Sequence, residues 1–360
     1  MPRWRHPRPN LPLTADDDVE MHTAAPPTPD LAALLPPAVC VLGLGLIGGS
    51  LARALRGRLP VSGWSPTPAT RDAAAADGLE VAASLPSALR QAVRDDALVV
   101  LASPVTTFRS LLRDVAQHAP EVRLTDVASV KAAVAEEVSQ ITPGARYIGS
   151  HPMAGTAESG WAAGSPDLFR DAAWVTCLTE DTDVADWASV AALALSVGSR
   201  VVPAEPAAHD SAVARISHLP HVMALALAQV GAQGGALALS LAASSFADAT
   251  RVAGTRPELI RAMCETNREA LTDALDDALG LMGVARGSLA STGSLFKLAE
   301  GGHAARGRFE VRGDGMVPMT LSGDDMVDQL LAVGAAGGYV TGLSGAGTEF
   351  QVRAWYPDQE

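Results

Sequence analysis

Five apolar residues in a row, Ala38 to Leu42 (AVCVL), are followed by four glycines between positions 43 and 49 and then by the helical spacing of Leu51 to Leu55. A short continuous apolar run rich in β-branched residues predicts a strand buried on both faces. Comparable runs follow at Leu59 to Trp64, Ala97 to Ala102, Val122 to Asp126 and Tyr147 to Ser150, separated by helical stretches near Ala69 to Asp77, Leu85 to Val93, Thr106 to Gln117 and Val130 to Ile141. Strands alternating with helices of this length predict a parallel, doubly wound sheet, in which ligands lie at the carboxyl ends of the strands. Ser103, Pro104, Ser129 and His151 each come just after a predicted strand. They are expected to line one cleft.

The pattern changes in the second half. After a strand-like Ala173 to Leu178 and a Ser199 to Pro203 run flanking one helix, residues Glu205 to Glu300 are rich in Ala and Leu with few turn signals, which predicts a helical domain. Val222 to Val230 and Ala236 to Ala243 are too apolar all round for surface helices, and burial against a second copy, a homodimer, is the simplest expectation. Beyond Gly301, Met316 to Leu321, a helical Asp324 to Gly334 and the paired runs Tyr339 to Leu343 and Thr348 to Trp355 predict a small β-α-β-β unit. At the other end, the first 37 residues hold nine of the 24 prolines, with Arg3, Arg5 and Arg8 ahead of the acidic run Asp16 to Asp18 and Glu20. Such a composition predicts a disordered leader, and without an apolar stretch it is not a secretory signal. Met21 is an alternative start.

Composition narrows the partners. At 360 residues, with 48% hydrophobic and 19% charged, the chain is a folded globular protein of two domains or slightly more. A net charge of −13 argues against nucleic acid or an anionic membrane surface, so any small anion must be gripped by a few well-placed donors. Cys40, Cys177 and Cys264 are widely spaced and odd in number, which predicts free thiols in a reducing compartment and hence a cytoplasmic protein. The longest apolar run, Ala38 to Ile47, is broken by glycines and falls far short of the ~20 residues of a membrane helix.

The glycines carry the first chemistry. Gly43, Gly45 and Gly48 form GxGxxG between a strand and a helix: the first makes the tight turn, the second admits a pyrophosphate, and the third lets helix and strand pack closely. Leu46 and Ile47 open the helix whose free N–H groups would hold phosphate charge. Where an NAD-type fold usually has a carboxylate, the end of the second strand reads Gly63-Trp64-Ser65-Pro66-Thr67. Ser65, Thr67 and Arg71 are available donors there, which tilts the expectation toward NADP and leaves NAD open. The expected architecture is thus an α/β dinucleotide-binding (Rossmann-type) domain with a parallel sheet over 38–203, an all-α dimerisation and substrate domain over 204–300, and a small α+β extension over 301–360.

His6, His22, His118 and His303 read as ordinary surface or core histidines. His151 differs, because it follows a predicted strand at the ligand edge in a turn flanked by glycine and proline. A neutral imidazole with a pKa of ~6.5 suits the removal of a hydroxyl proton near neutral pH. His218 and His221, three apart, share a helix face, and with no third ligand nearby no metal site is expected.

Four segments together resemble the prephenate and arogenate dehydrogenases. They are Thr125-Asp126-Val127-Ala128-Ser129-Val130-Lys131, Gly149-Ser150-His151-Pro152-Met153-Ala154-Gly155-Thr156, Ile216-Ser217-His218-Leu219-Pro220-His221 and Phe246-Ala247-Asp248-Ala249-Thr250-Arg251-Val252-Ala253. They occur in the family's order, and with the glycine turn the resemblance spans roughly Ala38 to Glu300. It implies an NAD(P)-dependent oxidative decarboxylation in tyrosine biosynthesis, with His151 as proton acceptor and Ser129 bonding the same hydroxyl or the nicotinamide side. It implies Arg251 as the fork that grips the ring carboxylate, at least one of His218 and His221 in the substrate pocket, and Thr156 on the substrate side. Many family members read HPxAGTE, whereas Ala157 here takes the place of the Glu and Glu158 comes one later. The extension after Glu300 is similar to a shortened regulatory domain but lacks its acidic-Pro-Gly turn, which favours a structural cap. Two alternatives stay open at this point: a β-hydroxyacid or imine reductase of similar build, and a non-catalytic dinucleotide-binding regulator.

Overall fold

The computed structural model describes residues 29–156 and 158–358. The chain opens with α1 (Pro29–Ala32) and β1 (Ala38–Leu42), then α2 (Leu46–Leu55), β2 (Val61–Trp64), α3 (Pro68–Ala76), β3 (Glu80–Val81), α4 (Leu85–Arg94) and β4 (Ala97–Leu101). α5 (Phe108–His118), β5 (Arg123–Asp126), α6 (Ala132–Ile141) and β6 (Arg146–Ile148) complete an all-parallel sheet of order β3-β2-β1-β4-β5-β6. β1 lies at its centre with every residue buried. Alternation along β1 sends Val39 and Val41 into the core on one face and Cys40 and Leu42 into the core on the other. That two-sided burial is why the run reads as continuously apolar.

A second sheet follows. β7 (Ser150–Pro152), β8 (Ala173–Cys177), α7 (Val184–Ser196) and β9 (Arg200–Ala204) begin it. After the helical region come β10 (Met316–Leu321), α15 (Met326–Ala335), β11 (Tyr339–Ala346) and β12 (Glu349–Pro357), and the order is β10-β12-β11-β9-β8-β7. The extension therefore joins its strands to those around residues 150–204 through the pair Val340 and Val201. α7 is buried along nearly its whole length, with Trp187 fully enclosed, because it packs against strands of both sheets. The predicted single strand Tyr147 to Ser150 is divided: Gly149 separates β6 in the first sheet from β7 in the second.

Between the halves of the second sheet lie α8 (Pro206–Val213), a π-helical turn (Ala214–His218), α9 (Leu219–Gln233), α10 (Gly235–Ser240), α11 (Ser244–Thr250), a 3-10 turn (Arg251–Gly254), α12 (Pro257–Thr266), α13 (Arg268–Thr292) and α14 (Phe296–Glu310). Helix thus continues beyond the expected limit of Glu300 to Glu310. Of the leader expected over 1–37, residues 1–28, including Met21, lie outside the described residues. Residues 29–37 correct the expectation of disorder: α1 packs against β11 and α7, and Leu31 and Leu34 enter the core. The local run Leu31 to Leu35 supplies the apolar surface that the average composition of the segment conceals.

Candidate active site

The glycine turn performs three separate steric tasks. Gly43 has φ +113°, and a Cβ there would lie 2.6 Å from the backbone of Ala102 and Ser103 at the end of β4. A Cβ on Gly48 would collide with the carbonyl oxygen of Gly43. Around Gly45 nothing lies within 4 Å, so its backbone forms an open ledge at the start of α2. Leu46 and Ile47, half-buried, open that helix, which has no side-chain cap and no acidic residue in its first turn. The leading N–H groups and the positive end of the helix dipole are left for a phosphate. These residues fit a dinucleotide.

At the end of β2, Ser65 is buried and its Oγ accepts from the Thr67 amide at 3.4 Å. Arg71 Nη1 donates to the carbonyls of Ser65 (2.7 Å) and Pro66 (3.1 Å), so its guanidinium lies over this loop rather than on the outer face of α3. After β4, Thr107 donates to the Pro104 carbonyl (2.7 Å), and Ser103 donates to Thr107 Oγ1 (2.7 Å), which fixes the 3-10 turn beside the glycines.

His151 is the middle residue of β7, paired with Val175, instead of standing in a free turn after a strand as its sequence neighbours suggest. β7 is the edge strand of this sheet, so the pairing with β8 holds its backbone on one side. A buried polar network lies beneath it. Lys131 pairs with Asp126 and donates to the Ser150 carbonyl at 2.7 Å, Tyr147 donates to Asp126 Oδ2 at 2.6 Å, and Ser150 Oγ donates to the Asp126 carbonyl at 2.6 Å. Burial first, and then the Asp126 charge, raise the Tyr147 phenol well above its usual value. His151 Nδ1 lies 2.9 Å from His209 Nε2, and His209 Nδ1 lies 2.8 Å from Asp210 Oδ1. Burial first, and then the repulsion that a proton on His151 would meet from Lys131 and from any proton on His209 or His218, pushes His151 well below 6.5. Its imidazole is therefore neutral at neutral pH and keeps a free nitrogen lone pair.

His218 is fully buried at the end of the π-helical turn, with Nδ1 3.1 Å from Asn267 Nδ2 and Nε2 lacking any partner. Burial outweighs the attraction of Asp210 and brings it down to about 4. His221, half-buried on α9, donates Nδ1–H to the Ser217 carbonyl at 2.8 Å. Arg251 stands exposed on the 3-10 turn packed against α9, without an ion pair among the described residues. Ser129, half-exposed, occupies the loop between β5 and α6. Thr156 is exposed, and its Oγ1 accepts only the Glu158 amide at 3.2 Å. Ala157 lies outside the described residues, and Glu158 is exposed.

The structure thus joins His151 and His218 around Asp210, while no hydrogen bond or ion pair links Arg251, Thr156 or His221 to that cluster. Sequence reasoning missed His209, Asp210 and Asn267. The only signal was the adjacent His209-Asp210 pair at a helix start, and nothing in its spacing pointed to His151. Among the described residues no group of side chains has metal-ligand geometry, and no helix is long and apolar enough to cross a membrane.

Residues 51–203 match the family description "Prephenate dehydrogenase, nucleotide-binding domain", and residues 205–282 match "Prephenate dehydrogenase, dimerization domain". A cyclohexadienyl dehydrogenase of Zymomonas mobilis is 31% identical over 287 residues, covering 77% of this chain and 96% of that protein. The arogenate dehydrogenase of Synechocystis superposes with a TM-score of 0.66 at 34% identity, over 76% of this chain and 99% of the other. The prephenate dehydrogenase of Aquifex aeolicus in complex with hydroxyphenyl propionate and NAD+ gives 0.68 at 26% identity, over 76% and 98%.

Proposed function

The chain belongs to the prephenate dehydrogenase family, and we propose that it oxidatively decarboxylates prephenate or arogenate, giving 4-hydroxyphenylpyruvate or tyrosine. The observation that carries this is a neutral, half-buried His151 hydrogen-bonded to His209, in a chain whose glycine turn leaves an open ledge shaped for a dinucleotide. It is an NAD(P)-dependent oxidoreductase. The nicotinamide, when bound, supplies the acceptor for the hydride that leaves the ring carbon bearing the hydroxyl. His151 hydrogen-bonds that hydroxyl and draws its proton as the hydride departs. Ser129, on the loop after β5, bonds the same hydroxyl or the nicotinamide side. Arg251 offers an unpaired planar fork for a carboxylate, and at least one of His218 and His221, with Thr156, contributes to the substrate side. Loss of carbon dioxide makes the ring aromatic, so the residues need only position the groups and stabilise developing charge.

At the end of β2, Ser65, Thr67 and the Arg71 guanidinium support NADP over NAD, since no carboxylate stands there to repel a 2′-phosphate. The helical region supports a homodimer, and free Cys40, Cys177 and Cys264 support a cytoplasmic setting. The reductase and non-catalytic alternatives are not favoured, because the family match continues through the helical region to residue 282. The decisive experiment follows reduced-nicotinamide absorbance with prephenate or arogenate against NAD and NADP. Turnover in one of the four combinations is expected, and none in any of them rejects the assignment.

A further inference from the structure

The buried imidazole of His209 is unused in the chemistry above, yet it lies between a carboxylate and His151. A carboxylate only accepts, so His209 carries its hydrogen on Nδ1, toward Asp210. Neutral His209 then presents a bare Nε2, and His151 donates to it from Nδ1. The lone pair of His151 is left on Nε2. Asp210 itself is fixed: Oδ1 also accepts the Lys131 amide and Oδ2 the Ala132 amide, both at 2.8 Å, while Asn267 donates to its carbonyl at 2.8 Å. Those two amides lie at the start of α6, directly after the loop bearing Ser129. Although burial alone would raise the Asp210 carboxyl, the His209 hydrogen bond and the two amides hold it below the usual range, so it stays charged.

We propose that His209 is a positioning residue and temporary proton carrier, and that Asp210, His209 and His151 form a two-imidazole relay for the dehydrogenation. This rests on the dehydrogenase assignment and deepens it. As the substrate O–H breaks, its proton bonds to Nε2 of His151, while the Nδ1–H of His151 breaks and that proton bonds to Nε2 of His209. The C–H pair leaves with the hydride to the nicotinamide, and the C–C pair enters the ring as carbon dioxide departs. The new phenolic oxygen then takes its proton back from His151 Nε2, and the Nδ1–H of His151 re-forms from His209. Net proton release is zero, so the relay must hold a proton briefly and return it. His151 is a poor place to hold it alone, being desolvated and faced by the Lys131 ammonium, whereas His209 lies against the Asp210 carboxylate.

The test uses the full chain with cofactor and whichever substrate it turns over. In His209→Gln the side-chain amide oxygen can still accept from His151 but cannot take up a proton. The expected result is a fall in kcat of about 10²-fold, the lower end of a proton-transfer contribution, with KM values within about threefold of wild type. Single-turnover rates in mixtures of light and heavy water should show two protons in motion in the wild type and one in His209→Gln. Wild-type kcat and an unaltered two-proton curve in that variant overturn the relay alone, whereas a wild type inactive on both prephenate and arogenate overturns the dehydrogenase assignment as well. Nitrogen-15 spectra of histidine-labelled wild-type protein need no variant. Protonated Nδ1 with bare Nε2 on His151 is expected, and the opposite tautomer overturns the relay.

Discussion

Desolvation makes the half-buried imidazole of His151 resist charge at neutral pH. Its depressed pKa keeps it a proton acceptor, so kcat/KM should be level from neutral pH down to about 6.5 and fall only below it. An acid limb centred above that value would contradict the assignment. His151→Asn should leave cofactor binding intact and lower kcat by about 10²–10⁴, and a variant with wild-type turnover removes His151 from the chemistry. Arg251→Ala should chiefly raise KM for the substrate, since the exposed guanidinium has no structural partner to lose. The same histidines bear on stability. His218 is about 4 when folded, against an unfolded value near 6.5, so the unfolded chain binds more protons between the two and stability falls as pH drops through that window. His151 acts in the same direction. Calorimetry should show Tm declining from pH about 6.5 toward about 4, and a flat Tm across that range would refute the neutral burial of these rings.

At the scale of elements, the glycine turn was fully legible in the sequence because all its determinants are local. The structure separates the three glycines sterically: Gly43 and Gly48 are packed against backbone and Gly45 faces open space. Gly45→Val should therefore preserve the fold while obstructing the ledge, raising the dinucleotide Kd by tenfold or more, about 1.4 kcal/mol. Unchanged binding by calorimetric titration would place the pyrophosphate elsewhere. The division of β6 from β7 was hidden, since Tyr147 to Ser150 is one apolar stretch and only the pairing of Ser150 with Thr176 moves it to another sheet. α1 was hidden for a related reason: Leu31 and Leu34 sit in a proline-rich leader, and their value appears only where β11 and α7 meet them.

At the scale of the molecule, the helical region leaves a large apolar surface uncovered in the single chain. Leu237 is 71% and Leu241 73% exposed, and Val230, Leu281 and Val284 are exposed as well. Exposed apolar side chains in this number are what a dimer through the helical region would cover. Light scattering at micromolar concentration should give twice the chain mass, and a monomer there would remove the homodimer. Apolar periodicity and the local spacing of glycine and proline determined the parallel sheet, the shape of the glycine turn and the helical second half, because those signals act within a few residues of each other. Only the tertiary structure decided that the extension completes the sheet carrying His151, and that His209, 58 residues further along the chain, lies behind that ring. Such contacts arise from the packing of distant elements, where spacing along the chain carries no information about separation in space.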